Sequence, residues 1–180
     1  YGTPVLKQMA KEITPDYEGL DELIDNMFDT MYEANGIGLA APQIGKGIRL
    51  FIVDGSPFDD EEDMDDFVKI FINPKIIDEE GEEWNFNEGC LSIPDVREDV
   101  KRKPKIRIRY QDENFEEVEE VYDGVKARII QHEYDHIEGV LFTDYLTPLK
   151  KRLLKRRLTD IAKGEINVSY RMKFPLKKGR

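Results

Sequence analysis

Two histidines, the whole supply in a chain of 180 residues, stand four positions apart at His132 and His136, with Glu133 between them. On a helix the spacing in QHEYDH (131–136) puts both imidazoles on one face, their Cβ atoms about 5–6 Å apart. Two neutral nitrogen donors can then share one metal ion, with a carboxylate beside the remaining coordination position. The same period sets Val125, Ile129 and Ile137 near that face, so the pair is expected to point into an apolar interior. A helix whose histidines merely pack or meet solvent is the competing reading. The motif also arises by chance, so a third donor has to be found.

No histidine remains to supply it, and the downstream acids Asp144, Asp160 and Glu165 have no convincing setting. Upstream, EGCLS (88–92) holds the only thiol, Cys90. Gly89 beside it frees the backbone, and Glu88 can orient a ligand. A lone cysteine is most often a small buried hydrophobe. As a thiolate it would complete a Cys/His/His set whose fourth position stays open for water, the pattern of a catalytic site.

The elements that must position these residues follow from periodicity. Leu20, Leu23, Ile24, Met27, Phe28 and Met31 recur at helical spacing within Tyr17–Asn35, with Thr14-Pro15 suited to the start and Gly36 to the cap. After the small-residue stretch GIGLAAPQIGKG, Ile48–Asp54 reads as a buried strand, and Ser56–Asp66 as an acidic surface loop. Phe67–Ile77 is strand-like, and Lys105–Tyr122 alternates on both sides of a DEN turn, as an antiparallel hairpin does. Asp123 opens the helix that carries the histidines and stops at Gly139, and Thr147-Pro148 opens another that ends near Gly164. Without regular βαβ alternation the fold class is α+β. Mostly antiparallel strands would pack around a central HExxH helix, with an N-terminal and a C-terminal helix. One domain, 1–164, is expected, followed by a basic tail, 165–180.

Composition narrows the setting. No apolar run approaches the roughly 20 residues that cross a bilayer, and no basic-then-apolar signal marks the chain for export. A single Cys is expected of a reducing, intracellular compartment. The chain opens on Tyr1 rather than Met, so a short preceding piece is expected. The net charge of −11 is segregated: residues 1–149 carry 15 Lys/Arg against 36 Asp/Glu, residues 150–180 carry 12 against 2. Such an acidic body repels DNA, while the basic end can meet phosphate.

GIGLAAPQ (36–43), EGCLS (88–92) and HEYDH (132–136) stand in the order and approximate spacing of the three motifs of the bacterial peptide deformylases, which this chain resembles from Tyr1 to about Leu149. YGTPVL at the start and HIEGVLF (136–142) resemble that family too. The acidic loop after Asp54 and the tail beyond Gly164 do not match it closely.

The resemblance implies removal of the N-formyl group from nascent peptides that begin with formylmethionine. Formate leaves after attack by a metal-bound water, with Glu133 as general acid and base. Cys90, His132 and His136 would hold one divalent ion. The resemblance implies Fe2+ as the native metal, with Zn2+, Ni2+ or Co2+ able to occupy the site. The Gln43 side chain and the Leu91 backbone N–H would stabilise the oxyanion, although Gln43 alone reads equally as a surface amide.

Gly36, Gly38 and Gly89 would let a peptide approach the backbone and pair like an added strand, Gly36 doubling as a helix cap. Ile37, Phe86, Val125 and Ile129 are candidates for the methionine pocket, or ordinary core. Arg97 would contact the peptide further along, or form a surface salt bridge. Asp135 reads as a salt-bridge partner or an orienter of a histidine. The resemblance places the chain in the cytoplasm, with its basic end against ribosomal RNA; a solvated amphipathic helix is the alternative there. An HExxH endopeptidase, and a module whose metal only staples the fold, are the rival functions.

Overall fold

The structure, a computed structural model, describes residues 1–58, 64 and 66–176. The acidic run Ser56–Asp66 falls largely outside the described residues.

The centre is a strand, β2 (Leu50–Asp54), buried along its whole length. Its side chains alternate between two cores, as a period of two requires. Phe51 and Val53 pack with Ala127, Ile130 and Ile137 of α2 (Gly124–Ile137). Leu50 and Ile52 pack with Leu20, Ile24, Met27 and Met31 of α1 (Leu20–Glu33). The two helices therefore cover opposite faces of one antiparallel sheet. Its order is β1-β2-β3-β6-β7, where β1 is Gly38–Ala40, β3 Val68–Glu80, β6 Lys105–Gln111 and β7 Glu117–Tyr122. Pro74 lies inside β3 where the register with β6 shifts between Ile72 and Lys75. A proline within a sheet needs such an irregularity, because it has no N–H to donate. Asn73, at φ +49°, bends the chain there, and its side chain bonds both backbone groups of Ile13.

The fold is α+β, and three helices occur among the described residues. Asp123 caps α2, its carboxylate accepting from the Gly124 N–H at 2.7 Å. Thr147 and Pro148 open α3 (Pro148–Lys163), and Gly164 closes it at φ +72°. The first helix departs from expectation at both ends. Thr14 is drawn into a turn, bonded to Asp16 and to the Tyr17 N–H, so α1 starts only after Gly19. At the other end Asn35, not Gly36, takes the left-handed conformation, at φ +52°. Gly36 has a different reason to be glycine: a Cβ there would lie 2.7 Å from Leu91 Cδ1.

A separate two-stranded ribbon joins β4 (Trp84–Cys90) to β5 (Ile93–Arg102). Ile93, Val96 and Val100 of β5 pack with Leu141, Phe142 and Ile161, which seats the ribbon against α3. Beyond Gly164 the chain returns over the body with Ile166, Val168, Tyr170 and Met172 half-buried and Glu165, Asn167, Ser169 and Arg171 exposed. No helix among the described residues is long and apolar enough to cross a membrane.

The edge hairpin is held by a half-buried acid shared between tyrosines. Tyr110 donates to Glu120 Oε2 at 2.7 Å, Tyr122 donates to the same oxygen, and Lys69 pairs with Glu120 at 3.3 Å. Burial first, and then the Glu120 carboxylate, raise the Tyr122 phenol far above its ordinary value. Above pH ~10 the unfolded chain ionises this tyrosine while the folded chain keeps it neutral, so stability must fall as pH rises. Denaturation midpoints are expected to drop between pH 9 and 11, and less steeply in Tyr122→Phe. Equal slopes in the two proteins would contradict this reading.

Candidate active site

The site forms where the end of β4 meets one face of α2. His132 and His136 lie on that face with ring centroids 5.2 Å apart. Cys90 Sγ sits 3.3 Å from His136 Nε2, and one donor atom from each of Cys90, His132 and His136 lies within 4.8 Å of the other two. Donors on one tetrahedral ion, at bond lengths of about 2.0–2.3 Å, stand roughly 3.3–3.8 Å apart. A thiolate and two imidazoles suit a zinc- or iron-class divalent ion rather than magnesium or calcium. The donor set fits such an ion.

What brings the strand to the helix is a buried charge. Glu88 is two residues before Cys90 on β4 and is buried. Arg102 grips it with Nε at 2.7 Å and a second nitrogen at 3.0 Å, and Arg128 of α2 adds a third bond at 3.0 Å. The remaining capacity of Glu88 Oε2 meets His132 Nδ1 at 2.9 Å. The network requires His132 to donate from Nδ1, which leaves Nε2 as its donor atom toward the cluster. Burial pushes the Glu88 carboxyl upward, but hydrogen bonds from His132 and Arg102 reverse this and hold it well below the usual carboxylate range. Burial would likewise raise the Cys90 thiol, yet His136 and His132 bring it well below its ordinary value. The sulfur is therefore held as thiolate, the form that ligates metal.

Glu133 has a contrasting environment. It is 4% exposed, and its Oε2 has no hydrogen-bond partner among the described residues. Burial pushes its carboxyl up to about 7, against the opposing pull of His132 and His136. Gly38 of β1 leaves it room: a Cβ at position 38 would come within 2.5 Å of Glu133 Oε1. Gln43 lies in the turn Ala41–Ile44 and is oriented by the Ala40 N–H, which donates to its Oε1 at 2.7 Å. Its amide nitrogen is thereby turned toward Cys90 Sγ at 3.6 Å and Ser92 Oγ at 3.3 Å.

A cavity of about 680 Å³ opens from this cluster. Ile37, Gly38, Phe86, Gly89, Leu91, Arg97 and Ile129 line it together with Gln43, Cys90, His132 and Glu133. Gly36 and Val125 do not: Gly36 packs on Leu91 and Met31, and Val125 against the α2 core. Arg97 bonds the side chain and carbonyl of Asn87 at 2.8 and 2.6 Å rather than a carboxylate. Asp135 accepts from Arg102 at 2.7 Å and from Tyr145 at 3.1 Å, so it supports the arginine.

A family described as Polypeptide deformylase matches this sequence over residues 1–152. The chain belongs to the polypeptide deformylase family. It is 60% identical to the peptide deformylase of Christiangramia forsetii, over 97% of this chain and 93% of that protein. Against the peptide deformylase of Flavobacterium johnsoniae the identity is 57%, over 100% of this chain and 96% of that protein. Among solved structures, the peptide deformylase of Legionella pneumophila superposes with a TM-score of 0.79 at 37% identity, covering 91% of this chain and 93% of that one.

Sequence reasoning did not find Arg102, Arg128 or the segment 167–170, which also lines the cavity. Arg128 carried a signal: it stands four residues before His132, on the face the periodicity assigns to the interior. An arginine there has to be paired.

Glu88→Gln removes the anion that pairs both arginines and fixes His132. Its affinity for a divalent ion is expected to fall about 10–100-fold, and its stability by about 3–5 kcal/mol as charge is stranded. Chelator competition and thermal melts measure the two effects. Unchanged metal affinity would contradict the role given to Glu88.

Proposed function

We propose that the convergence of Cys90 Sγ and the two imidazoles beside the buried Glu133 carboxylate is the catalytic centre of an N-terminal deformylase. The chain removes the N-formyl group from N-terminal formylmethionine of newly made polypeptides and releases formate. Cys90, His132 and His136 hold one divalent cation, with Fe2+ as the resident ion and Zn2+, Ni2+ or Co2+ able to replace it. When bound, that cation polarises the formyl oxygen and acidifies a coordinated water toward neutral pH.

The protein's own groups do the remaining work. Glu133, with a carboxyl near pH 7, accepts the proton of the attacking water and returns one to the departing methionine nitrogen. The Gln43 amide and the Leu91 N–H donate to the oxygen that becomes negative, a role whose loss costs about 10²–10³ in rate. Groove geometry orients the peptide. Among the described residues β1 ends the five-stranded sheet and β4 pairs with β5 alone, so each presents an edge without a partner strand there, and Gly38 and Gly89 bring both edges into the cavity. An extended peptide laid there gains backbone hydrogen bonds as an added strand. Ile37, Phe86 and Ile129 receive the methionine side chain.

The exposed basic residues of α3, Lys151, Arg152, Lys155 and Arg156, support a contact with ribosomal RNA, as does the substrate, which is a chain under synthesis in the cytoplasm. Each phosphate contact steepens the fall of affinity with salt by about one logarithmic unit. Ribosome binding by Arg152→Glu/Arg156→Glu is expected to be weaker and less salt-dependent than that of the natural chain. Binding that ignores salt in both proteins would retire the contact.

Protein loaded with metal under anaerobic conditions is expected to release formate from formyl-Met-Ala and to leave acetyl-Met-Ala and internal peptide bonds intact. Glu133→Ala should keep its metal and lose about 10²–10⁴ in kcat. Cys90→Ser should lose activity as well. Formate release that survives Glu133→Ala would contradict the assignment.

A further inference from the structure

The segment that follows α3 lies beyond residue 152, where the family match ends. Its apolar residues explain why it stays on the body. Ile166 joins the core beneath β5 and α3, the Phe174 ring covers Gly164, and Leu176 bonds the Ala162 carbonyl through its N–H at 3.0 Å. Packing does not explain where the segment runs. Asn167, Val168, Ser169 and Tyr170 line the same cavity as Glu133, His132, Gly38 and Gly89. The Tyr170 hydroxyl donates to the Leu91 carbonyl at 2.8 Å, which fastens the segment to the turn that follows Cys90. Arg157 of α3 reaches Asp95, another lining residue, at 2.7 Å and ties the helix to the same rim.

Asn167 and Ser169 of this wall are exposed, whereas the reaction centre at Glu133 is buried. A peptide whose formyl end is fixed at Glu133 can continue only outward, past the exposed lining. We propose that Asn167–Tyr170 form the outer wall of the substrate groove and contact the residues that follow formylmethionine, so that this chain reads more of the nascent peptide than its first residue. Tyr170 is a positioning residue that pins the wall; Asn167 and Ser169 face the peptide. The proposal rests on the deformylase reading above.

The test compares kcat/KM for formyl-Met-Ala, formyl-Met-Ala-Ala and formyl-Met-Ala-Ala-Ala, using the metal-loaded full chain and a chain ending at Ile166. The full chain should gain with peptide length. The shortened chain should lose about 2–10-fold of the longer-to-shorter ratio, chiefly through KM, as expected for one or two lost contacts. Ending the chain at Ile166 also removes Phe174, so Asn167→Arg/Ser169→Arg, which alters only exposed side chains, is measured alongside. That variant should favour formyl-Met-Ala-Asp over formyl-Met-Ala-Lys by about 2–5-fold more than the natural chain does. Formate release with unchanged ratios in both variants, or a loss equal for all three lengths, overturns the proposal alone. No formate from the natural chain with any peptide overturns the deformylase reading and the proposal with it.

Discussion

One buried anion holds the parts together. Glu88 has left water and so must be satisfied by partners, and it draws three of them from two elements: Arg102 from β5, Arg128 and His132 from α2. Removing any one partner would strand a charge in the interior, an imbalance of several kcal/mol. The ribbon is thereby locked to the helix in a single register, and Cys90, two residues further on, arrives beside His136. A hydrophobic contact of equal area would hold the elements together but would not fix a ring nitrogen. Here the same bonds that dock the strand also set the orientation of His132.

The contrast between two glutamates follows from their surroundings. Glu88 meets cationic donors and stays ionised, while Glu133, equally buried, has one oxygen without a partner among the described residues and its carboxyl pushed up to about 7. One therefore serves as a permanent anion and the other as a group that can take and return a proton. Gly38 completes the arrangement, because any side chain on β1 at that point would occupy the space of the Glu133 carboxyl. The short edge strand thus both borders the groove and makes room for the Glu133 carboxyl.

Much of this was legible beforehand, for physical reasons that differ by element. α2 and α3 carry their own start and stop signals, Asp123 and Thr147-Pro148 at one end, Gly139 and Gly164 at the other, and the hairpin β6–β7 has clean alternation around its turn. The donor set was legible because the chain holds only two histidines and one cysteine. β5 was not, since IPDVREDVKR is mostly charged and its apolar residues Val96 and Val100 stand four apart; pairing with β4 overrides that pattern. Nor does periodicity along α2 tell the groove face from the core face: Ile129 belongs to the core and also lines the cavity, while Val125 only packs against that core. Residues 165–174 do alternate apolar with polar in the sequence, a period that the structure uses to lay them across the body.

The account stands on a sulfur and two ring nitrogens sharing one cation. X-ray absorption at the metal edge, on protein purified and kept without oxygen, reads those donors directly. It should show one transition-metal ion per chain bound by one sulfur at about 2.3 Å and two imidazole nitrogens at about 2.0–2.1 Å, with the sulfur signal gone in Cys90→Ala. A metal without a sulfur neighbour, or no bound metal at all, would contradict it.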